Sequence, residues 1–169
     1  MNSLIRPEKL SKNIAKYLVF KFYFYGDSIT NLRIQKLIYY VYVWYLVLKR
    51  KKAFKERFQA WPIGPVLPSI YRDLKSYTAG PINPNYSSIE NEKNLEELKR
   101  NLGKDLLEII DKVFEEYGRM SAFDLVNLTH SELPWRSARK GLEITEKSSN
   151  EIKDSDILSF YGEKIKKRK

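Results

Sequence analysis

The sequence contains no cysteine. That removes disulfides, thiolate metal sites and cysteine nucleophiles together, and it fits a reducing compartment, so the cytoplasm is the expected location. Histidine is nearly as scarce: His130 is alone, and a lone imidazole cannot build a histidine-based metal site. None of the patterns HExxH, paired CxxC, GxxxxGK[ST] or GxSxG is present to recruit it. Ser131 and Glu132 follow His130, so a hydrolytic triad has to be weighed. A triad needs a nucleophile, a base and an orienting group converging in space, and adjacency in sequence does not supply that. The expectation is no catalytic residue, no metal and no cofactor, with His130 bridging a helix junction by a hydrogen bond. Long apolar runs are also missing. The longest uncharged one, LIYYVYVWYLVL at residues 37–48, is far short of the about 20 residues that span a bilayer, and reads as a helix buried in a core. No membrane partner is expected. The first residues carry Arg6, Glu8, Lys9 and Lys12 before any apolar run, and Lys21 interrupts that run, which makes a poor signal peptide.

What is present is material for one core. The chain has 169 residues, is 43% hydrophobic and holds 12 tyrosines, enough for a single domain expected over residues 1–163. The net charge of +10 is concentrated in Lys49, Arg50, Lys51 and Lys52 and in a basic tail over 164–169 with Lys164, Lys166, Lys167, Arg168 and Lys169, so the body is close to neutral. The basic clusters suit a solvated surface, an acidic protein partner or nucleic acid. No recognised nucleic-acid-reading motif accompanies Lys49–Lys52, so nucleic acid is the less supported partner.

Periodicity predicts a mainly α fold, a compact helical domain of about six to seven helices. Pro7 suits a first helical turn, and Leu10, Ile14, Tyr17 and Leu18 follow at helical spacing until Gly26. Thr30 caps a second helix from Asn31 through Arg50, apolar almost all round in its later turns and therefore surrounded by others. Phe58 and Trp61 belong to a short strand near 57–62; Pro62, Gly64 and Pro65 turn the chain, and Pro68 opens a helix to about Tyr77. Residues 78–93 form a loop, with a second short strand as an option at 82–90 and the greatest expected mobility in the chain. A continuous helix is predicted from Asn94 to Tyr117, where Leu95, Leu98, Leu102, Leu106, Ile109 and Val113 make one stripe. Its carboxylates lie on the polar side, where pairing with lysines is the usual role. Ser121 with Asp124 resembles a capping box, Pro134 begins a short helix, and Asp154 or Ser155 caps the last one.

Three ordered motifs carry a resemblance. ITNLRIQKLIYYVY, FQAWPIGPVLPSIY and YGRMSAFDLVNLTHSELPWRSAR resemble, in order and spacing, the SocA-like or Panacea domain of bacteria and their phages, over about residues 10–140. The matched positions are Leu32, Gln35, Lys36, Leu37 and Tyr39; then Ala60, Trp61, Gly64, Pro65, Val66, Pro68 and Tyr71; then Ser121, Ala122, Leu125, Thr129, His130, Pro134, Trp135, Ala138 and Arg139. The resemblance implies a helical antitoxin that binds a protein toxin encoded nearby and performs no reaction. The alternatives are a phage-associated regulatory or nucleic-acid-binding factor, or an adaptor that delivers a bound protein to a protease. Trp, Tyr and Arg dominate interface hot spots, and a Pro-Gly-Pro segment preorganises its neighbours at little entropic cost. The expected partner-binding set is therefore Trp61, Gly64, Pro65, Val66, Tyr71, His130, Trp135 and Arg139, with Lys49–Lys52 as a basic patch.

Overall fold

The computed structural model describes residues 9–167. The expected helix start at Pro7, and Arg168 and Lys169 of the basic tail, lie outside them. Helix α1 (Leu10–Phe24) is followed by α2 (Asn31–Lys49), strands β1 (Gln59–Trp61) and β2 (Gly64–Val66), α3 (Pro68–Leu74), α4 (Glu92–Leu102), α5 (Lys104–Tyr117), α6 (Ala122–Ser131), α7 (Leu133–Ala138) and α8 (Asp154–Lys167). The fold is mainly α, as the periodicity predicts. No helix among the described residues is long and apolar enough to cross a membrane.

Helix α2 is the axis of the molecule. The Thr30 hydroxyl accepts from the Arg33 N–H to start it, and Arg50 in the left-handed region ends it. Between these ends Ile34, Leu37, Ile38, Tyr40, Val41 and Val43 have no exposed surface, because α1, α5, α6 and α8 all pack on α2. Burial of each such aliphatic side chain contributes about 1.5 to 3 kcal/mol. The all-round apolar pattern was the signature of this position. Tyrosine supplies much of the packing: Tyr40 stacks on Tyr117 at 4.2 Å, and Tyr39 meets Phe58 edge-on at 5.3 Å.

Three expectations need correction. The single helix over 94–117 is two, α4 and α5, because Gly103 has φ +79°, so the described residues hold eight α-helices. No strand forms at 82–90. Pro81 makes only an isolated bridge with Thr30, and residues 84–87 form a 3₁₀ turn. Pro81 and Pro84 have no N–H to give a ladder. The segment is nonetheless anchored: Ile82 is buried, its N–H donates to the Ile29 carbonyl at 2.9 Å, and its carbonyl accepts from the Tyr23 hydroxyl at 2.7 Å. Finally, the expected turn at 62–65 is a hairpin in which Ala60 pairs with Pro65 and Trp61 with Gly64.

The hairpin gains a third partner that no local pattern announced. The Ala60 N–H donates to the Asn150 carbonyl at 2.8 Å, and the Ile152 N–H donates to the Phe58 carbonyl at 2.9 Å. Residues 150–152 thus cover the outer edge of β1 before α8 begins. Helix α8 docks by Ile157 and Tyr161, and its first residue, Asp154, accepts from the Tyr42 hydroxyl at 2.7 Å. Residues 164–167 of the expected basic tail are its final turn.

Candidate partner-binding surface

The site is built outward from α2. Two of its side chains do for β2 what a neighbouring strand would do. The Gln35 side-chain oxygen accepts from the Leu67 N–H at 2.8 Å, and the Lys36 ammonium donates to the Pro65 carbonyl at 3.0 Å. A proline in β2 removes one donor, and these contacts satisfy the groups that remain. Lys36 is fully buried, and burial pulls its pKa down to about 7. Gly64 permits this approach: its φ is +95°, and a Cβ there would lie 2.6 Å from Lys36 Cε and 2.8 Å from Thr129 Oγ1. The Gln-Lys pair of the first motif, the Gly-Pro of the second and the Thr of the third are one contact.

Helix α7 clamps the hairpin from the other side. The Trp135 indole N–H donates to the Trp61 carbonyl at 2.9 Å, and Arg139 donates to the Ala60 carbonyl at 2.8 Å. A second Arg139 nitrogen donates to the carbonyls of Glu143 and Glu146, both at 2.8 Å, so one guanidinium also shapes the 140–149 loop. Five fixed N–H donors are what such a convergence of carbonyls requires. His130 stacks on Trp135 at 3.9 Å, facing the Pro62 backbone, and spans the junction of α6 and α7. Burial lowers its pKa, with nearby Lys36 and Arg139 adding to the effect. Its Nε2 has no hydrogen-bond partner among the described residues.

These contacts divide the expected binding set. Gly64, Pro65, Val66, Trp135 and Arg139 are buried, and His130 is half-buried beneath Trp135 and the turn. Gly64, Pro65 and Val66 are the inner strand of the hairpin, and Trp135 and Arg139 hold it in place. Trp61 and Tyr71 are half-buried and meet edge-on at 4.9 Å, while the Trp61 indole N–H donates to the Gln59 side chain at 2.8 Å. Together with Pro62, Ile63 and the loop residues Ser148 and Ser149 they line an open groove of about 730 Å³. Ile63 is 43% exposed at the tip of the hairpin. Sequence reasoning missed it and the serines. An isoleucine between Pro62 and Gly64, where turn chemistry favours polar residues, was the one available signal; for the serines there was none, since they arrive by long-range pairing.

The basic run does not form a free patch. Lys49 pairs with Asp105 at 2.9 Å and the exposed Lys52 with Asp154 at 3.1 Å, while Arg50 and Lys51 are exposed and in no ion pair among the described residues. Glu132, which stood beside His130 as a hydrolytic option, turns away from it into a pocket of tyrosines. It is 3% exposed and accepts from Tyr40 at 3.2 Å and from Tyr161, with Lys164 at 3.7 Å. Burial raises its pKa, and the hydrogen bonds and Lys164 oppose that rise. Among the described residues no group of three or more His, Cys, Asp or Glu side chains could hold a metal ion.

The sequence model of the family described as "Antitoxin SocA-like, Panacea domain" matches residues 34–136, which contain the hairpin, its contacts on α2 and α6, and Trp135 of α7, while Arg139 lies just beyond them. Antitoxin SocA of Caulobacter vibrioides (strain NA1000 / CB15N) is 32% identical over 134 residues, covering 74% of this chain and 68% of that protein. No solved structure matches.

Proposed function

The chain belongs to the antitoxin SocA-like, Panacea domain family, and on that premise we propose that it neutralises a protein toxin encoded nearby by binding it directly, with no reaction of its own. The observation that carries the reading is the half-buried Trp61 beside Tyr71 and the exposed Ile63, borne on a hairpin that α2, α7 and residues 150–152 hold in place. Large aromatic anchors supply most of the energy of an interface. A surface fixed before contact loses little conformational freedom on binding, so more of that energy appears as affinity. The groove beside Trp61 suits an apolar side chain of the toxin, which would cover the groove while this chain covers the toxin's working surface. The net charge of +10 would steer an acidic toxin, and association should then slow as salt is raised.

The test is co-purification. Each short reading frame beside this one is expressed with the tagged full chain, and a complex with one of them that Trp61→Ala loses is the expected result. A complex that Trp61→Ala leaves at full yield would place the interface elsewhere.

A further inference from the structure

A second surface shares no lining residue with the hairpin groove. The C-terminal half of α2 and the whole of α5 run antiparallel, since Lys49 meets Asp105 at one end and the Trp44 indole N–H donates to the Tyr117 hydroxyl at 3.0 Å at the other. Between them lies a cleft of about 310 Å³ lined by Trp44 and Leu48 from α2 and by Ile109, Val113, Glu116 and Tyr117 from α5. Leu48 is 52% exposed there. The apolar residues recur four apart on both walls, the spacing that receives the ridges of another helix. Both walls are helices whose backbone groups are already bonded, so an extended peptide lying here would find no partner for its own N–H and C=O groups; a helix brings its own.

Charge is graded along this cleft. At the Asp105 end stand Arg50 and Lys51, exposed, with Lys104; Asp105 itself is neutralised by Lys49, and its carboxyl is held below the usual range by that contact and then by Lys51 and Lys104. At the other end Glu115 and Glu116 are exposed and in no ion pair among the described residues, with Glu108, which acts on Lys49, and Lys112 between the two ends. Asp105 and Glu116 are about 16 Å apart at 1.5 Å rise per residue. A helix carries complementary polarity in its usual composition, acidic in the first turn and basic in the last.

We propose that the cleft between α2 and α5 takes an amphipathic helix of a partner protein, about three turns long, whose acidic first turn lies at Arg50 and Lys51 and whose basic last turn lies at Glu115 and Glu116. Aliphatic side chains on one face of that helix fill the space between Leu48, Trp44 and Val113. Direction as well as affinity is therefore specified by the charge gradient.

Two synthetic helical peptides of the same composition test this on the full chain. Each has a leucine face; one carries Glu in its first turn and Lys in its last, and the other has these reversed. The first should shift the Trp44 indole N–H resonance and bind about tenfold tighter than the second, as expected when two favourable charged contacts at each end become repulsive. Leu48→Glu, an exposed position where folding is not at stake, should weaken the first peptide by at least about tenfold. Glu115→Lys with Glu116→Lys should erase or invert the preference between the peptides. Equal affinity for both peptides, an unmoved Trp44 resonance, or full binding by Leu48→Glu overturns the proposal. None of these outcomes bears on whether Trp61 contacts a toxin.

Discussion

Lys36 of α2 and Pro65 of β2 are joined by a 3.0 Å hydrogen bond from the buried ammonium to the carbonyl oxygen, and the lysine keeps no exposed surface. Burial holds its pKa near 7, against an ordinary value of 10.5. Between those two values the unfolded chain binds the proton and the folded chain does not, so stability should rise with pH across the window. The slope should approach about 1.4 kcal/mol per pH unit. Above pH 10 the buried hydroxyls of Tyr39, Tyr40 and Tyr161, all pushed upward first by burial, reverse the trend because only the unfolded chain ionises. Urea unfolding from pH 7 to 10 should show the rise in the natural sequence and lose it in Lys36→Met.

Gly64→Ala should be costly. The left-handed backbone contributes about 1 to 2 kcal/mol and the contacts with Lys36 Cε and Thr129 Oγ1 about 1 to 3 more. Gly26→Ala provides the comparison: its φ is +77°, but none of the described residues lies within 4 Å of the added methyl, so only the backbone cost should appear in its melting curve.

Arg139→Lys should release the 140–149 loop while α2 stays folded. A lysine ammonium cannot reach the carbonyls of Ala60, Glu143 and Glu146 together, and each charged hydrogen bond lost costs about 1.5 to 3 kcal/mol. Hydrogen exchange should quicken at the Ala60 and Ile152 amides, which pair β1 with residues 150–152. Unchanged protection there would show that the loop holds itself.

Trp61 and Trp135 should separate binding from folding. Trp135 is 7% exposed and clamps the hairpin, so Trp135→Ala should lose about 3 to 5 kcal/mol of stability. Trp61→Ala removes a half-buried ring that meets Gln59 and Tyr71 at the groove, and should cost clearly less stability than Trp135→Ala. Parallel thermal melts of the two variants check this.

The sequence disclosed those features that arise from local pattern. The cap at Thr30, the box formed by Ser121 with Asp124 and the all-round apolar character of residues 37–47 each follow from forces acting within a few residues, and each is found. The break at Gly103 was hidden because the leucine stripe keeps its phase across it: Leu98 and Leu102 on one side and Leu106 and Ile109 on the other face the same core. The pairing of β1 with residues 150–152 joins positions about 90 apart, and no periodicity encodes such a contact. At the site, the motifs named the residues that meet, Lys36 with Gly64 and Thr129, Trp61 with Trp135, and Ala60 with Arg139. Which of them face solvent depends on how α7 closes over the hairpin, and that is a property of packing alone.

The most direct measurement is growth rescue. Each neighbouring short reading frame is induced in bacteria with and without this chain, and for any toxic frame the natural sequence is compared with Trp61→Ala and with Leu48→Glu. The natural sequence and Leu48→Glu should restore growth, and Trp61→Ala, expressed and folded to the same level, should not. Rescue by Trp61→Ala equal to the natural sequence, or no rescue from any toxic neighbour, would contradict that expectation.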